Sequence, residues 1–176
     1  MTYKKRLLTV AALALALSMG CRAQVSRVID LPDWNFSRDG QSWQPVRVPH
    51  DWAISGPFDK KWDLQMVAIE QNGETEKTEK SGRSGALPWI GEGFYRMRLA
   101  LPKGYKRAVL VFDGAMSEPV VSVNGREAGR WAYGYNAFRI DITPFVKFGS
   151  KDNLVEVHLN NREESSRWYP GGGLYR

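Results

Sequence analysis

Val120-Val121-Ser122-Val123-Asn124-Gly125-Arg126-Glu127-Ala128-Gly129 is the strongest local signal in the chain. A β-branched run meets Asn-Gly and then a second short run. Asn and Gly accept the positive φ angles of a type I′ turn, so the stretch predicts a tight β-hairpin. Downstream, Phe138-Arg139-Ile140-Asp141-Ile142 and Leu154-Val155-Glu156-Val157-His158-Leu159 alternate apolar with polar residues, as strands with one buried face do. Between them Thr143-Pro144-Phe145-Val146 predicts a single helical turn. Upstream, Tyr95, Met97, Leu99 and Leu101 share one face and Arg96 and Arg98 the other, before Pro102-Lys103-Gly104 closes the strand. Ala108 to Asp113 is almost continuously apolar and predicts a central strand buried on both faces. Short strands, turn signals at regular spacing and no long helical period predict an all-β chain folded as an antiparallel β-sandwich.

The start of the chain has a different character. Lys4, Lys5 and Arg6 precede the apolar run Leu7 to Leu17, which is too short to cross a bilayer as a helix. Residues 1–23 are therefore expected to be a signal peptide, cut either before Cys21, as in a lipoprotein, or after Ala23. Cys21 is the only cysteine, which excludes an internal disulfide and a cysteine-based metal cluster. Removing Lys4, Lys5 and Arg6 lowers the formal net charge from +6 to +3, and losing Arg22 as well leaves +2. That is too slight for a nucleic-acid footprint. The expected location is outside the cytoplasm of a Gram-negative bacterium, periplasmic or outer-membrane-associated, with membrane contact only through a lipid on Cys21. No cofactor and no metal site are expected.

Residues 24–42 read as an N-terminal linker or first strand, within which Trp34 and Phe36 fall on one face and Arg38-Asp39-Gly40 reads as a turn. The main domain is placed at 43–176. Pro49-His50-Asp51-Trp52 reads as a strand exit, where side chains commonly meet ligands. His50 and Asp51 are adjacent in an extended chain and point to opposite faces, so they do not suggest a base–orienter dyad. His50 reads as a turn residue or as a ligand contact. From Gly56 to Gly93 periodicity is lost, and the segment reads as a long polar loop whose ends carry aromatics; Asp63 beside Trp62 is a candidate acceptor for a sugar hydroxyl or a salt-bridge partner for a nearby lysine. The terminal Ser166-Arg167-Trp168-Tyr169-Pro170-Gly171-Gly172-Gly173-Leu174-Tyr175-Arg176 puts aromatics and an arginine ahead of proline and three glycines. Proline fixes φ and glycines permit close backbone approach, so Trp168 and Tyr169 either close one end of a sandwich or face sugar from a rim.

Taken as an ordered set, Val48-Pro49-His50-Asp51-Trp52, Gly91-Glu92-Gly93-Phe94-Tyr95-Arg96, Phe112-Asp113-Gly114-Ala115, Val121-Ser122-Val123-Asn124-Gly125, Gly134-Tyr135-Asn136-Ala137-Phe138 and the terminal stretch resemble the N-terminal sugar-binding domain of glycoside hydrolase family 2, β-galactosidase-like. The resemblance implies a galactose-binding-like jelly roll. It also implies a substrate-binding wall in which Arg167, Asp63, Trp168, His50 and Asp51 face a β-linked glycan or oligosaccharide. No catalytic residue is expected in this chain, because in that family two glutamates on a separate barrel carry the retaining hydrolysis. The same resemblance implies packing against that barrel and an immunoglobulin-like domain, with the segment after Gly173 leading into a further strand, so that the domain is expected to be incomplete at its C-terminal end. The alternatives are a free-standing carbohydrate-binding module and a surface lipoprotein.

Overall fold

The computed structural model describes residues 26–55, 65–68, 72–80, 91–161 and 171–175. Residues 26–30 belong to a first unit that ends at Asp30; they are exposed and have no regular structure. The second unit, from Leu31 onward, carries every strand described. In chain order these are β1 (Asp33–Ser37), β2 (Gln44–Arg47), β3 (His50–Asp51), β4 (Gln65–Val67), β5 (Thr78–Lys80), β6 (Gly91–Leu99), β7 (Val109–Phe112), β8 (Ala115–Met116), β9 (Val120–Val123), β10 (Arg126–Arg130), β11 (Phe138–Asp141), β12 (Asn153–Asn161) and β13 (Gly173–Leu174). The 3-10 turn Trp52–Ser55 follows β3. Among the described residues no helix is long and apolar enough to cross a membrane.

One antiparallel sheet of six strands, ordered β10-β9-β12-β6-β1-β2, forms the main layer. Its register explains its core. Phe36 on β1 lies opposite Tyr95 on β6, Tyr95 opposite Val157 on β12, and Val157 opposite Val121 on β9. All four are at most 1% exposed, so one inward row crosses four strands. Along β12 the alternation is regular: Val155, Val157 and Leu159 are buried while Glu156 and His158 are not. The opposing layer consists of β11 paired with β7 and of β13 set between β3 and β8. Leu110, Phe112, Phe138, Ile140, Trp52 and Leu174 from these elements join the same core. The result is the expected all-β antiparallel sandwich.

The hairpin at Asn124-Gly125 forms as its sequence predicts. β9 and β10 pair antiparallel, and both turn residues have positive φ, 52° and 77°. Asn124 then secures the turn to the sheet: its Nδ2 donates to Phe145 O (2.8 Å) and Asn153 Oδ1 (3.1 Å), and its Oδ1 accepts from Leu154 N (2.9 Å).

Three expectations need correction. β7 is not buried on both faces: Val109 and Val111 are 38% and 55% exposed, and only Leu110 and Phe112 point inward. Among the described strands it pairs with β11, and its outer valines suit a strand by their branched shape rather than by burial. The Thr143-Pro144-Phe145-Val146 segment is a turn closed by Phe145 N donating to Ile142 O, not a helix. The stretch read as a long polar loop contains the hairpin of β4 and β5. Its strands are three residues each and β5 is largely exposed, so no period-two signal marks them. β1 lies within the 24–42 segment and is an inner strand of the large sheet, so the sheet takes in residues ahead of Trp43.

Candidate functional site

The Pro49-His50-Asp51-Trp52 and glycine-rich motifs meet in the small sheet. Gly173 lies opposite Asp51 and Leu174 opposite His50 across β13 and β3, while Gly173 and Leu174 also pair with Met116 and Ala115 of β8. Trp52 N donates to Gly172 O at 2.8 Å. Asp51 Oδ1 accepts from Ala53 N (2.8 Å) and from Gly172 N (3.0 Å), so one carboxylate caps the 3-10 turn and holds an arm 121 residues away in sequence. Asn161 Nδ2, at the end of β12, donates to Gly171 O at 2.7 Å.

The glycines are required here by space. A Cβ on Gly173 would stand 1.8 Å from His50 O, and one on Gly172 would stand 2.5 Å from the Trp52 ring. Trp52 is fully buried, stacked on Phe36 with centroids 5.5 Å apart and 14° between planes, and its Nε1 has no hydrogen-bond partner among the described residues. The glycine arm therefore lies directly on an indole, an approach that any side chain would prevent.

His50 and Asp51 part company, as adjacent strand residues do. The imidazole turns toward Phe36 and Tyr95, with Nδ1 2.7 Å from the Tyr95 hydroxyl. The Tyr95 hydroxyl also lies 3.5 Å from His50 O, so the phenol sits against both the ring and the backbone of one residue. Burial holds the imidazole below its ordinary pKa; Asp51 opposes the shift and Arg38 adds to it. Burial likewise pushes the Tyr95 phenol well above its usual range. The pair offers a fixed, uncharged hydrogen-bonding edge rather than a proton-transfer dyad.

Of the sequence-derived candidates, His50 and Asp51 are thus brought together with Gly172 and Gly173, while Arg167, Trp168 and Asp63 lie outside the described residues. Two participants had no sequence signal of their own. Tyr95 reads only as one member of an inward-facing row, because alternation reports a face and not what a hydroxyl touches. Trp52 gives no sign that a glycine arm will cross it, because that contact joins residues far apart in the chain. Among the described residues no three His, Cys, Asp or Glu side chains cluster as a metal ion would require.

No family model matches the chain. Individual relatives do. The β-galactosidase BoGH2A of Bacteroides ovatus is 34% identical over 137 residues, covering 76% of this chain and 14% of the relative. A β-glucuronidase of Formosa agariphila is 32% identical, covering 82% of this chain and 16% of its own length. The chain thus spans about a seventh of the length of the curated relatives it matches. Among solved structures, a glycosyl hydrolase family 2 member from Bacteroides cellulosilyticus superposes with a TM-score of 0.58 at 30% identity, over 82% of this chain and 19% of that one. By sequence and by fold the chain belongs to glycoside hydrolase family 2, of whose β-galactosidase and β-glucuronidase members it corresponds to one β-sandwich domain.

Proposed function

We propose that this domain is the carbohydrate-contacting wall of an exported β-glycosidase, and that hydrolysis itself belongs to a catalytic barrel outside these 176 residues. The observation that carries the reading is the Asp51 carboxylate bonded to both Ala53 N and Gly172 N. It anchors Gly172, in the glycine run that follows Arg167 and Trp168 in the sequence, to the strand of His50, which supports reading the two motifs as parts of one rim. An arginine offers planar donors to sugar hydroxyls, an indole covers the apolar face of a pyranose, and the His50 ring adds a polar edge. The glycan is a β-linked galactoside, glucuronide or related sugar, since relatives of both the first two kinds align with the chain. Export through residues 1–23, with or without a lipid on Cys21, and packing against the remaining domains of a family 2 enzyme complete the proposal.

Tryptophan fluorescence of the full chain, titrated with galactose, glucuronate and mannose, tests it. Saturable binding to one of them, weakened at least tenfold in Arg167→Ala, is the expected result. Binding by none of the three, or binding indifferent to Arg167→Ala, would remove the support for a sugar-facing rim. Turnover of a chromogenic β-glycoside by this chain alone would contradict the assignment of catalysis to another domain.

A further inference from the structure

Between β10 and β11 the chain runs Trp131-Ala132-Tyr133-Gly134-Tyr135-Asn136-Ala137, a connection in which three large rings stay in solvent. Trp131, Tyr133 and Tyr135 are 38%, 47% and 48% exposed. Rings this open on a loop between two packed sheets are uncommon unless something covers them in use.

The loop holds them rigidly. Trp131 stacks on Phe138 with 5.6 Å between centroids and 7° between planes, and Phe138 stacks on Phe112 at 4.8 Å and 11°. Three near-parallel rings therefore lead from the core, where Phe112 and Phe138 are each 4% exposed, to the surface. Trp131 Nε1 donates to Asn136 Oδ1 at 2.8 Å, and Trp131 N donates to Pro119 O at 3.0 Å, which fix the indole in its plane and the backbone beneath it. Gly134 packs on Met116, where a Cβ would stand 2.5 Å from the sulfur, so the loop is pressed onto β8. Tyr133 and Tyr135 lie against each other at 5.5 Å. Tyr175, itself 38% exposed and packed over Gly114, is close enough for Tyr135 and Asp51 to act electrostatically on its phenol. The rings thus continue to the end of β13.

We propose that Trp131, Tyr133 and Tyr135 form a second carbohydrate-contacting surface, which takes the pyranose rings of a β-linked glycan longer than the single sugar held at the rim. The chemistry of the loop selects that ligand. Its indole N–H is already bonded, so Trp131 offers a flat apolar face and no donor, while the two phenols offer hydroxyls at the ring edges. A pyranose has the matching form, a C–H face with hydroxyls around its border. The choice of glycan as ligand rests on the reading of the domain as carbohydrate-contacting; the location does not.

Affinity electrophoresis of the full chain through gels containing soluble β-1,4-galactan or hydroxyethylcellulose tests the proposal, beside the monosaccharide titration. The expected result is retardation by at least one polymer, lost at least tenfold in apparent affinity in Trp131→Ala and in Tyr135→Ala and largely kept in Trp131→Phe, which preserves a flat ring on Phe138. Monosaccharide binding should be unchanged in these variants, and circular dichroism should show their fold intact. Absence of retardation by both polymers overturns the second surface, whether or not a monosaccharide binds. Retardation that survives Trp131→Ala and Tyr135→Ala also overturns it. Self-association of the wild-type chain in sedimentation velocity, abolished by Trp131→Ala without any effect of glycan, would assign the rings to a protein interface instead. Failure of monosaccharide binding with polymer retardation intact would sink the rim and leave this surface standing.

Discussion

Two corners of the molecule solve one problem, holding a turn against the end of a sheet, with opposite means. At the hairpin corner, Asn153 is fully buried and makes four hydrogen bonds with the chain around it. Its Oδ1 accepts from Lys147 N and Asn124 Nδ2, and its Nδ2 donates to Lys147 O and Leu99 O. At the His50 corner the fastening is largely backbone on ring: Gly172 and Gly173 lie against Trp52 and His50 with no room for a methyl group, aided by one carboxylate. The first corner is uncharged and fully bonded, and so acts as an inert clamp. The second keeps a histidine, a carboxylate and an indole N–H that has no partner among the described residues near one another, and so carries groups whose state depends on surroundings.

The sharpest way to break this contrast is Gly173→Ala. With φ at 148° and a Cβ 1.8 Å from His50 O, alanine must push β13 off β3, and a loss of about 4 kcal/mol in urea unfolding is expected. Asn153→Ala comes next. It strands several buried donors and acceptors around Asn124 and Lys147 and is expected to cost about 3 kcal/mol by the same measurement. Gly125→Ala separates crowding from backbone strain. It has the same positive φ problem, at 77°, but nothing within 4 Å, so a loss of only about 1–2 kcal/mol is expected. If Gly125→Ala destabilises as much as Gly173→Ala, close approach is not what distinguishes the His50 corner.

A smaller effect depends on pH. Because His50 is held neutral in the folded chain below its ordinary pKa, the unfolded chain takes up a proton first as pH falls below about 6.5. Stability is therefore full above that pH and declines as pH falls toward the folded-state value. Urea midpoints measured from pH 7.5 to 5 should show the decline, and His50→Gln should flatten it. Asp39 and Asp141 act in a separate window. The hydrogen bonds of Asp39 to the Ser42 backbone and the Ser37 hydroxyl, and of Asp141 to the Thr143 hydroxyl and backbone, lower their pKa values. Their contribution persists until pH falls below about 3.8 and is then lost, so it does not overlap the histidine window. Smallest of all is Arg98→Ala. The Arg98–Asp152 pair is 2.7 Å long, but its side chains are 62% and 76% exposed, and a change under about 0.5 kcal/mol is expected in the same urea series.

Much of the sandwich is legible residue by residue. The Asn-Gly turn, the inward faces of β6, β11 and β12, and the shared face of Trp34 and Phe36 follow from local chemistry and a two-residue period, which any short window contains. The outer valines of β7 escape such a reading because exposure depends on whether another strand arrives, and Val109 and Val111 are apolar either way. The β4–β5 hairpin escapes it because strands of three residues are too short to leave a pattern. The candidate site divides along the same line. Pro49-His50-Asp51 and the glycine run announce a strand exit and a close approach, but neither says to what.

Sequence alone therefore determined the fold class, the hairpin at Asn124-Gly125, the need for glycine before Leu174 and the family resemblance, because turn angles, side-chain alternation and motif order are local properties of the chain. Only the tertiary structure decided that Gly173 meets His50, that the Tyr95 hydroxyl meets its imidazole, and that the rings of Trp131 and Tyr135 stay open to solvent. Each of these joins or exposes groups through the packing of distant strands, and register, not composition, sets which of them come within bonding distance.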